Sequence, residues 1–386
     1  MQIISDIQLD YSDVLIVPQT TTINHRGEVE VVRHFKQLEP DLGMGYIREF
    51  KCCPIMNANM TQTGTFEVAN KLRSHDMIGC IHKFYTAKQI NEFFDKYGSE
   101  GVTFFITIGL RNQAEEILKL RACKDYMWSI LIDVPNAYIP DVEDFVKLVR
   151  NEFPDRIIAV GNVCTGDRTQ ELIKAGANIV KVGIGPSAVC RTRHTTGCGR
   201  PQLSAVIECA NAAHQVGGLI IADGGFTMPG DLCKAFVAGA DICMSGSMFA
   251  GCDEAAGDVI TKAYETNEYD SCTWIDKLGF IHNTIDDPIP NDGTFYDLGK
   301  KKIETKKFKE YYGMSSFRAQ CENYGKKTTT GTSEGVESKL IPYTGSVEDT
   351  INNIKGALRS CGSYIGAKNI KTFSRQGSFY RVNRIQ

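Results

Sequence analysis

Eight short apolar runs recur through the first two thirds of the chain. They are Cys53–Asn57, Ile78–Ile81, Thr103–Ile108, Trp128–Ile132, Ile157–Val160, Ile179–Val182, Leu219–Ala222 and Ile242–Met244. Each has strand length, is bounded by polar or glycine residues and lacks strict alternation, the pattern of strands buried on both faces in a parallel sheet. Between them, Thr65–His75, Ala87–Tyr97, Gln113–Ala122, Asp141–Glu152, Arg168–Ala175, Leu203–Gln215 and Pro229–Ala238 carry apolar residues at helical spacing. Asp141 and either Thr165 or Asp167 are the expected N-caps, Pro229 suits a first helical turn, and Gly176 and Gly239 fall where helices stop. Eight runs alternating with helices predict an α/β fold, a (β/α)8 TIM barrel, with a doubly wound sheet as the rival that periodicity alone leaves open.

Past Gly251 the texture changes. Asp253–Tyr312 is polar, with a Pro-Asn-Asp-Gly turn at 290–293 and a lysine run at 300–302. Residues 313–335 end in the low-complexity GKKTTTGTSEG and read as a mobile flap. A helical pattern resumes at Val347, Ile351, Ile354 and Leu358, before a basic tail. The expected organisation is one barrel domain over 1–386: an N-terminal arm (1–50), barrel core (51–253), insertion (254–308), flap (309–346) and C-terminal helix and tail (347–386).

Composition narrows the function classes. The charge of −3, from 43 basic and 46 acidic residues, gives no support for nucleic-acid or anionic-membrane binding. No run approaches a membrane span, and MQIISDIQLDYSD lacks a signal-peptide pattern, so a cytoplasmic protein is expected. The 14 cysteines are scattered, without a CxxC pair or zinc spacing, and read mostly as small buried apolar residues.

In a barrel, chemistry sits on the loops after the strands. After the sixth run, Lys181-Val-Gly-Ile-Gly-Pro-Ser-Ala-Val-Cys190-Arg-Thr192-Arg193 delivers one cysteine from a Gly-Pro turn among a hydroxyl and two arginines. Thiolate is the nucleophilic form, and nearby positive charge favours it. Cys190 therefore reads as a covalent nucleophile, against the alternative of a packing cysteine. The seventh loop, Asp223-Gly224-Gly225, and the eighth, Ser245-Gly246-Ser247, taken together read as glycine turns for the phosphate of a nucleotide or other sugar phosphate, with Asp223 suited to a ribose diol, against the alternative of tight βα turns with no ligand. Lys83 could bind a phosphate or carboxylate and Asp133 could be a functional strand-end carboxylate, but read singly a structural role is favoured for both; Glu334 in the flap matters only if the flap closes over the mouth.

Those residues carry a resemblance. KVGIGP…VC.TR…TG.G.PQLSAV, then IADGG…PGD..KAF.AGAD, then YGMSS, together with Leu9–Val14 and Asn57–Met60, resemble GMP reductase and, more distantly, IMP dehydrogenase. No room exists after Lys83 for the regulatory module that the dehydrogenases usually carry. The resemblance implies NADPH-dependent deamination of GMP to IMP and ammonia, with Cys190 attacking purine C2 to give a thioimidate and Thr192 and Glu334 handling protons. It assigns Asp223, Gly224, Gly225, Gly246, Ser247, Gly313, Met314, Ser315, Ser333 and Gly335 to the nucleotide. To the cofactor it assigns His25, Arg26, Lys83, Asp133, Val134, Pro135, Met314, Ser360, Cys361, Gly362 and Ser363, partly from a neighbouring subunit. To potassium it gives the carbonyls of Gly185, Ser187 and Cys190, with Arg193 beside them. A homotetramer is implied. Two departures stand out: Gly331 replaces an arginine two residues before the flap's Ser-Glu-Gly, and Arg191 and Arg318 appear where the family has other residues. They suggest a pocket retuned for a deoxy or modified purine nucleotide, with Arg191 or Arg318 restoring the charge. The other readings are an IMP dehydrogenase-like oxidation with NAD and a non-catalytic nucleotide-binding regulator.

Overall fold

In a computed structural model the described residues are 6–35, 50–98, 104–124, 126, 128–271, 273–275, 278, 280–283, 296–297, 300–325 and 331–382. Two short strands, β1 (Val14–Ile16) and β2 (Arg33–Phe35), precede the alternating part. That part runs β3 (Phe50–Asn57), α1 (Phe66–Ser74), β4 (Met77–Ile81), α2 (Ala87–Tyr97), β5 (Phe104–Ile108), α3 (Gln113–Ala122), β6 (Trp128–Asp133) and α4 (Pro140–Glu152). It continues with β7 (Ile158–Val163), α5 (Gly166–Lys174), β8 (Ile179–Val182), α6 (Thr192–Thr196), α7 (Gln202–Gln215), β9 (Leu219–Asp223), α8 (Pro229–Val237) and β10 (Ile242–Ser245). Strands β3 to β10 are parallel neighbours in order, and β10 returns to β3 through Cys243–Ile55, Met244–Met56 and Ser245–Asn57. This closes a (β/α)8 barrel; the doubly wound alternative is excluded.

The continuous apolar runs are explained by two cores on the two faces of the barrel wall. Met56, Ile78, Phe105, Leu131, Ile179, Ile221 and Met244 fill the interior. Their sequence neighbours, among them Ile55, Met77, Phe104, Ile130, Val180, Ile220 and Cys243, pack outward against the helices. Successive strand residues point to opposite faces, so a strand buried on both sides shows no polar alternation. Among the described residues every cysteine is a free thiol, and most are buried.

Helix starts follow local chemistry. Thr65 accepts from Val68 N at 3.1 Å, Thr86 and Gln89 form a capping box, and Ser316 accepts from Ala319 N at 3.1 Å. Asp141 is not an N-cap: α4 already starts at Pro140, whose fixed φ suits the first position, and Asp141 sits inside the first turn, where its charge favours the helix dipole. Thr165 takes the N-cap position of α5, with Asp167 in the first turn.

The polar region after the barrel is a β arm. β11 (Ile260–Ser271), β12 (Thr273–Ile275), β13 (Ile281–Asn283), β14 (Tyr296–Asp297) and β15 (Lys300–Tyr311) follow one another, with β11 antiparallel to β15 and β12 pairing with both β13 and β14. The expected turn at 290–293 lies outside the described residues. Then come α9 (Phe317–Tyr324), β16 (Lys339–Pro342), α10 (Val347–Ile365), α11 (Phe373–Gln376) and β17 (Phe379–Arg381). Residues 326–330 of the low-complexity run are likewise outside the described residues. α10 buries Val347, Ile351, Ile354 and Leu358 against the barrel's outer layer, as its spacing predicts.

Candidate functional site

The carboxyl ends of the strands bring the predicted catalytic residues together. Cys190 Sγ lies 3.3 Å from Thr192 Oγ1, with the thiol donating, and Thr192 Oγ1 donates to Glu334 Oε2 at 2.8 Å. Glu334 comes from the flap, 142 residues further along the chain. Backbone pairing brings it there. Arg191 N donates to Glu334 O at 2.7 Å, Val336 N to Val189 O at 2.9 Å, and Cys190 and Gly335 form an antiparallel bridge. Gly313 N in turn donates to Val336 O at 2.9 Å, and Glu334 N to Ser315 O at 3.3 Å. Gly313 and Gly335 make this sandwich possible: a Cβ on Gly313 would stand 2.6 Å from Gly335 Cα. The flap, expected as a mobile element, is thus laid against the cysteine loop.

The glycine turns meet the cysteine loop from the other side. Gly224 and Gly225 take φ of +83° and +84°, a region that non-glycine residues avoid. A Cβ on Gly225 would lie 3.3 Å from Pro186 Cβ, so the sixth and seventh loops are in contact. Ser247 Oγ donates to Phe226 O at 2.9 Å, tying the eighth loop to the seventh. Met314 Sδ accepts from Thr61 N and Oγ1 at 3.4 and 3.5 Å. Ser333 Oγ donates to Gly335 O at 2.9 Å and to Glu337 Oε1 at 2.7 Å, which shapes the flap turn.

A buried lysine joins the remaining carboxylates. Lys181 Nζ donates to Asp133 Oδ1 and to Asp223 Oδ2, each at 2.9 Å. Its side chain is 3% exposed, against 23% for Asp133 and 20% for Asp223. Lys181 shares the inward face of β8 with Ile179, and Gly161 on β7 leaves room, since a Cβ there would stand 2.6 Å from Lys181 Cβ. Burial alone would push the lysine's pKa down, but two facing carboxylates outweigh it and hold the ammonium above the usual lysine range. Burial likewise pushes the Asp133 carboxyl up. Lys181, and then Lys83 at 3.7 Å, outweigh this and hold it at about 2. Asn162 Nδ2 adds a bond to Asp223 Oδ2 at 2.8 Å. Sequence reasoning missed Lys181 and Asn162. The available signal was a lysine inside an otherwise apolar strand, which must be paired if it faces inward.

Val134 N donates to Gly161 O at 2.9 Å, which fixes the loop after Asp133, and Pro135 beyond it is exposed. His25 and Arg26 are far along the chain from α10 but border the same cavity. It has a volume of about 750 Å³ and is lined also by Lys355, Arg359 and Ser360. Its lining carries four basic or imidazole side chains and no carboxylate, so it suits a phosphate-bearing ligand. Cys361, Gly362 and Ser363 lie beyond that lining, and Gly362 is packed on Val29, where a Cβ would come within 2.5 Å of a Val29 methyl.

Arg193 Nε and Nη1 reach Ile184 O and Asp10 Oδ2, each at 3.3 Å, beside Gly185, and Ser187 O accepts from Cys190 N at 3.0 Å. Among the described residues no group of three His, Cys, Asp or Glu side chains is placed to hold a metal ion. The expectation that Arg318 restores charge to the pocket fails. Its guanidinium is held by Glu310 at 2.8 Å and Glu322 at 2.9 Å, and stacks on Tyr312 at 4.4 Å. Arg191 is exposed.

A closed parallel barrel with a thiol, a hydroxyl and a carboxylate in series at the carboxyl ends of its strands has the layout of a barrel enzyme. The comparisons with known proteins make this specific. The model of the IMP dehydrogenase / GMP reductase domain matches residues 8–273 and 299–385, and the chain belongs to this family. It is 37% identical over 386 residues to the GMP reductase of Vibrio atlanticus (strain LGP32), covering 99% of this chain and 97% of that protein. It is 38% identical over 385 residues to the GMP reductase of Buchnera aphidicola subsp. Acyrthosiphon pisum (strain Tuc7), covering 99% and 96%. It is also 37% identical over 381 residues to GMP reductase 1 of Homo sapiens, covering 98% and 96%. The stretch that the family model leaves out, 274–298, falls in the β arm. Among the described residues no helix is long and apolar enough to cross a membrane.

Proposed function

We propose that the chain is an oxidoreductase that converts GMP to IMP and ammonia with NADPH, through a covalent bond to Cys190. The observation that carries the reading is the hydrogen-bonded series Cys190–Thr192–Glu334, assembled only where the flap pairs with the cysteine loop. Cys190 Sγ attacks C2 of the purine and its thiol proton passes toward Thr192. An amide anion is a poor leaving group, so the exocyclic amine must gain protons as the C2–N bond breaks. Thr192 relays them and Glu334 is their reservoir. Loss of ammonia leaves a thioimidate, which splits one hard substitution into two easier steps. When bound, the reduced nicotinamide supplies the hydride that C2 receives. The C–S bond then breaks and IMP departs, for an overall consumption of GMP, NADPH and one proton per ammonia released, or two where it departs as ammonium.

Asp223 presents a part-open carboxylate to the ribose diol, held by Lys181 and Asn162, while Gly224, Gly225, Gly246 and Ser247 offer backbone to the phosphate. Gly313, Met314, Ser315, Ser333 and Gly335 cover the nucleotide from the flap. Lys83, Asp133, Val134, Pro135 and Met314 would hold the nicotinamide half of the cofactor. The basic cavity at His25, Arg26 and Ser360 fits a phosphate-bearing end, supplied across a subunit contact in the homotetramer that the resemblance implies. Neutral carbonyls at Gly185, Ser187 and Cys190 are a donor set for a monovalent cation such as potassium. The test is product stoichiometry: incubation with GMP and NADPH should yield IMP, ammonia and oxidised cofactor in equal amounts. Formation of XMP from IMP and NAD⁺ with no GMP turnover would overturn the reading.

A further inference from the structure

The third barrel loop, residues 109–112, joins β5 to α3 at the mouth and takes no part in the scheme above. Arg111 on this loop is exposed and forms no salt bridge among the described residues. Its guanidinium instead lies 5.0 Å from the centroid of the Tyr324 ring. Tyr324 ends α9 on the flap, and the same ring meets Phe84 edge-on at 5.5 Å. Next to Phe84 stands Lys83, whose ammonium is 3.7 Å from Asp133. Gly109, at the root of the loop, brings Arg111's own segment against that lysine: a Cβ there would lie 3.9 Å from Lys83 Nζ. Two cations from adjacent loops therefore border one part of the mouth, with the flap helix as its roof.

The other charges nearby have partners of their own, Glu115 accepting from Asn112 Nδ2 at 3.1 Å. Lys119 is 2.6 Å from Glu116 on α3, and Arg318 on the flap helix is shared by Glu310 and Glu322. Arg111 is left with an aromatic face, which orients a guanidinium without neutralising it. A planar guanidinium beside an ammonium is the pairing that suits phosphate oxygens.

We propose that Arg111 is a cofactor-binding residue: its guanidinium, oriented by Tyr324, pairs with a phosphate of the dinucleotide, so that flap docking and dinucleotide binding favour each other. This rests on the NADPH reading given above. A phosphate of GMP has the same chemistry, so the experiment separates the two. Binding of NADPH and of GMP is measured separately, by cofactor fluorescence and by calorimetry, on wild type, Arg111→Ala, Arg111→Lys and Tyr324→Ala, with no turnover required. Arg111→Ala should weaken NADPH at least about tenfold, the size of a lost charge-assisted bond, and leave GMP within about twofold. Arg111→Lys should fall between it and wild type, and the salt dependence of NADPH binding should flatten in the alanine variant. Tyr324→Ala should weaken NADPH by a smaller factor and speed proteolysis within the flap. Arg111 is exposed, so an unchanged melting temperature will confirm folding. NADPH binding by Arg111→Ala equal to wild type, or a loss confined to GMP, overturns the inference. Wild type that does not bind NADPH overturns the reading beneath it.

Discussion

At the carboxyl end of the barrel one cation, Lys181, lies between two carboxylates, Asp133 and Asp223. At the other end the arrangement is inverted. One carboxylate, Asp241, lies between Arg33 at 2.9 Å and His214 at 2.8 Å, and also accepts from Ile220 N at 2.9 Å. Asp241 is 2% exposed, and β2 with its Arg33 is stitched to β3 over it. Both networks obey the rule that buried charges must be paired. They differ in what remains over. The lower network satisfies its carboxylate completely and closes a seam. The upper one fixes two carboxylates from inside, yet leaves a fifth or more of each open to the mouth, where the proposed ribose and cofactor would use what the lysine does not. Position in the barrel, rather than the type of interaction, separates support from function.

The contrast can be broken in several ways. The largest effect is expected at the upper end in Glu334→Gln, which keeps shape and hydrogen bonding but not the proton reservoir. Turnover should fall about a thousandfold while GMP affinity is kept, as steady-state and binding measurements on one preparation would show. Lys181→Met should come next. Two carboxylates lose their shared cation, and NADPH and GMP affinity should both drop, with turnover down about a hundredfold and a stability cost of about 3 kcal/mol. A loss of stability with both ligand affinities intact would make Lys181 mere support. Asp241→Asn at the lower end should give the opposite split, a stability cost of about 3 kcal/mol by denaturant titration with GMP and NADPH affinity unchanged.

The smallest effect is expected in the pH dependence of stability. The hydrogen bond to Asp241 raises the His214 pKa above the ordinary 6.5, against the opposing pull of burial. A raised pKa means stability that is present below the ordinary value and lost as the pH climbs through the folded one. The melting temperatures of wild type and His214→Ala should therefore differ more at about pH 6 than at about pH 9. Asp133 behaves in the opposite sense. Held at about 2 rather than 3.8, it contributes stability above the ordinary value that is lost on acidification.

The wall of the barrel could be read from the chain because eight strands are buried on both faces, and the apolar runs report that directly. β2 could not be read: Arg33-His34-Phe35 is three residues long and owes its place to Asp241 and β3, not to a pattern of its own. The strands β11 and β15 were hidden for a different reason. Lys262 pairs with Lys306 and Tyr264 with Glu304, with all four exposed, so the paired middle of these strands carries no buried apolar face. In the site, motif spacing and family likeness led to Cys190, Thr192 and Glu334. Lys181 escaped because its partners lie 48 and 42 residues away, on β6 and β9, which the sheet sets on either side of β8 with β7 intervening before β6. Arg111 escaped because nothing local relates it to Tyr324.

A covalent bond to Cys190 is proposed to carry the reaction, and the decisive measurement is NADPH consumption in the presence of GMP, wild type beside Cys190→Ala. Wild type should oxidise NADPH with matching release of IMP, and the alanine variant should lose at least about a thousandfold in turnover while still binding GMP. An alanine variant that retains the wild-type rate would contradict the covalent route.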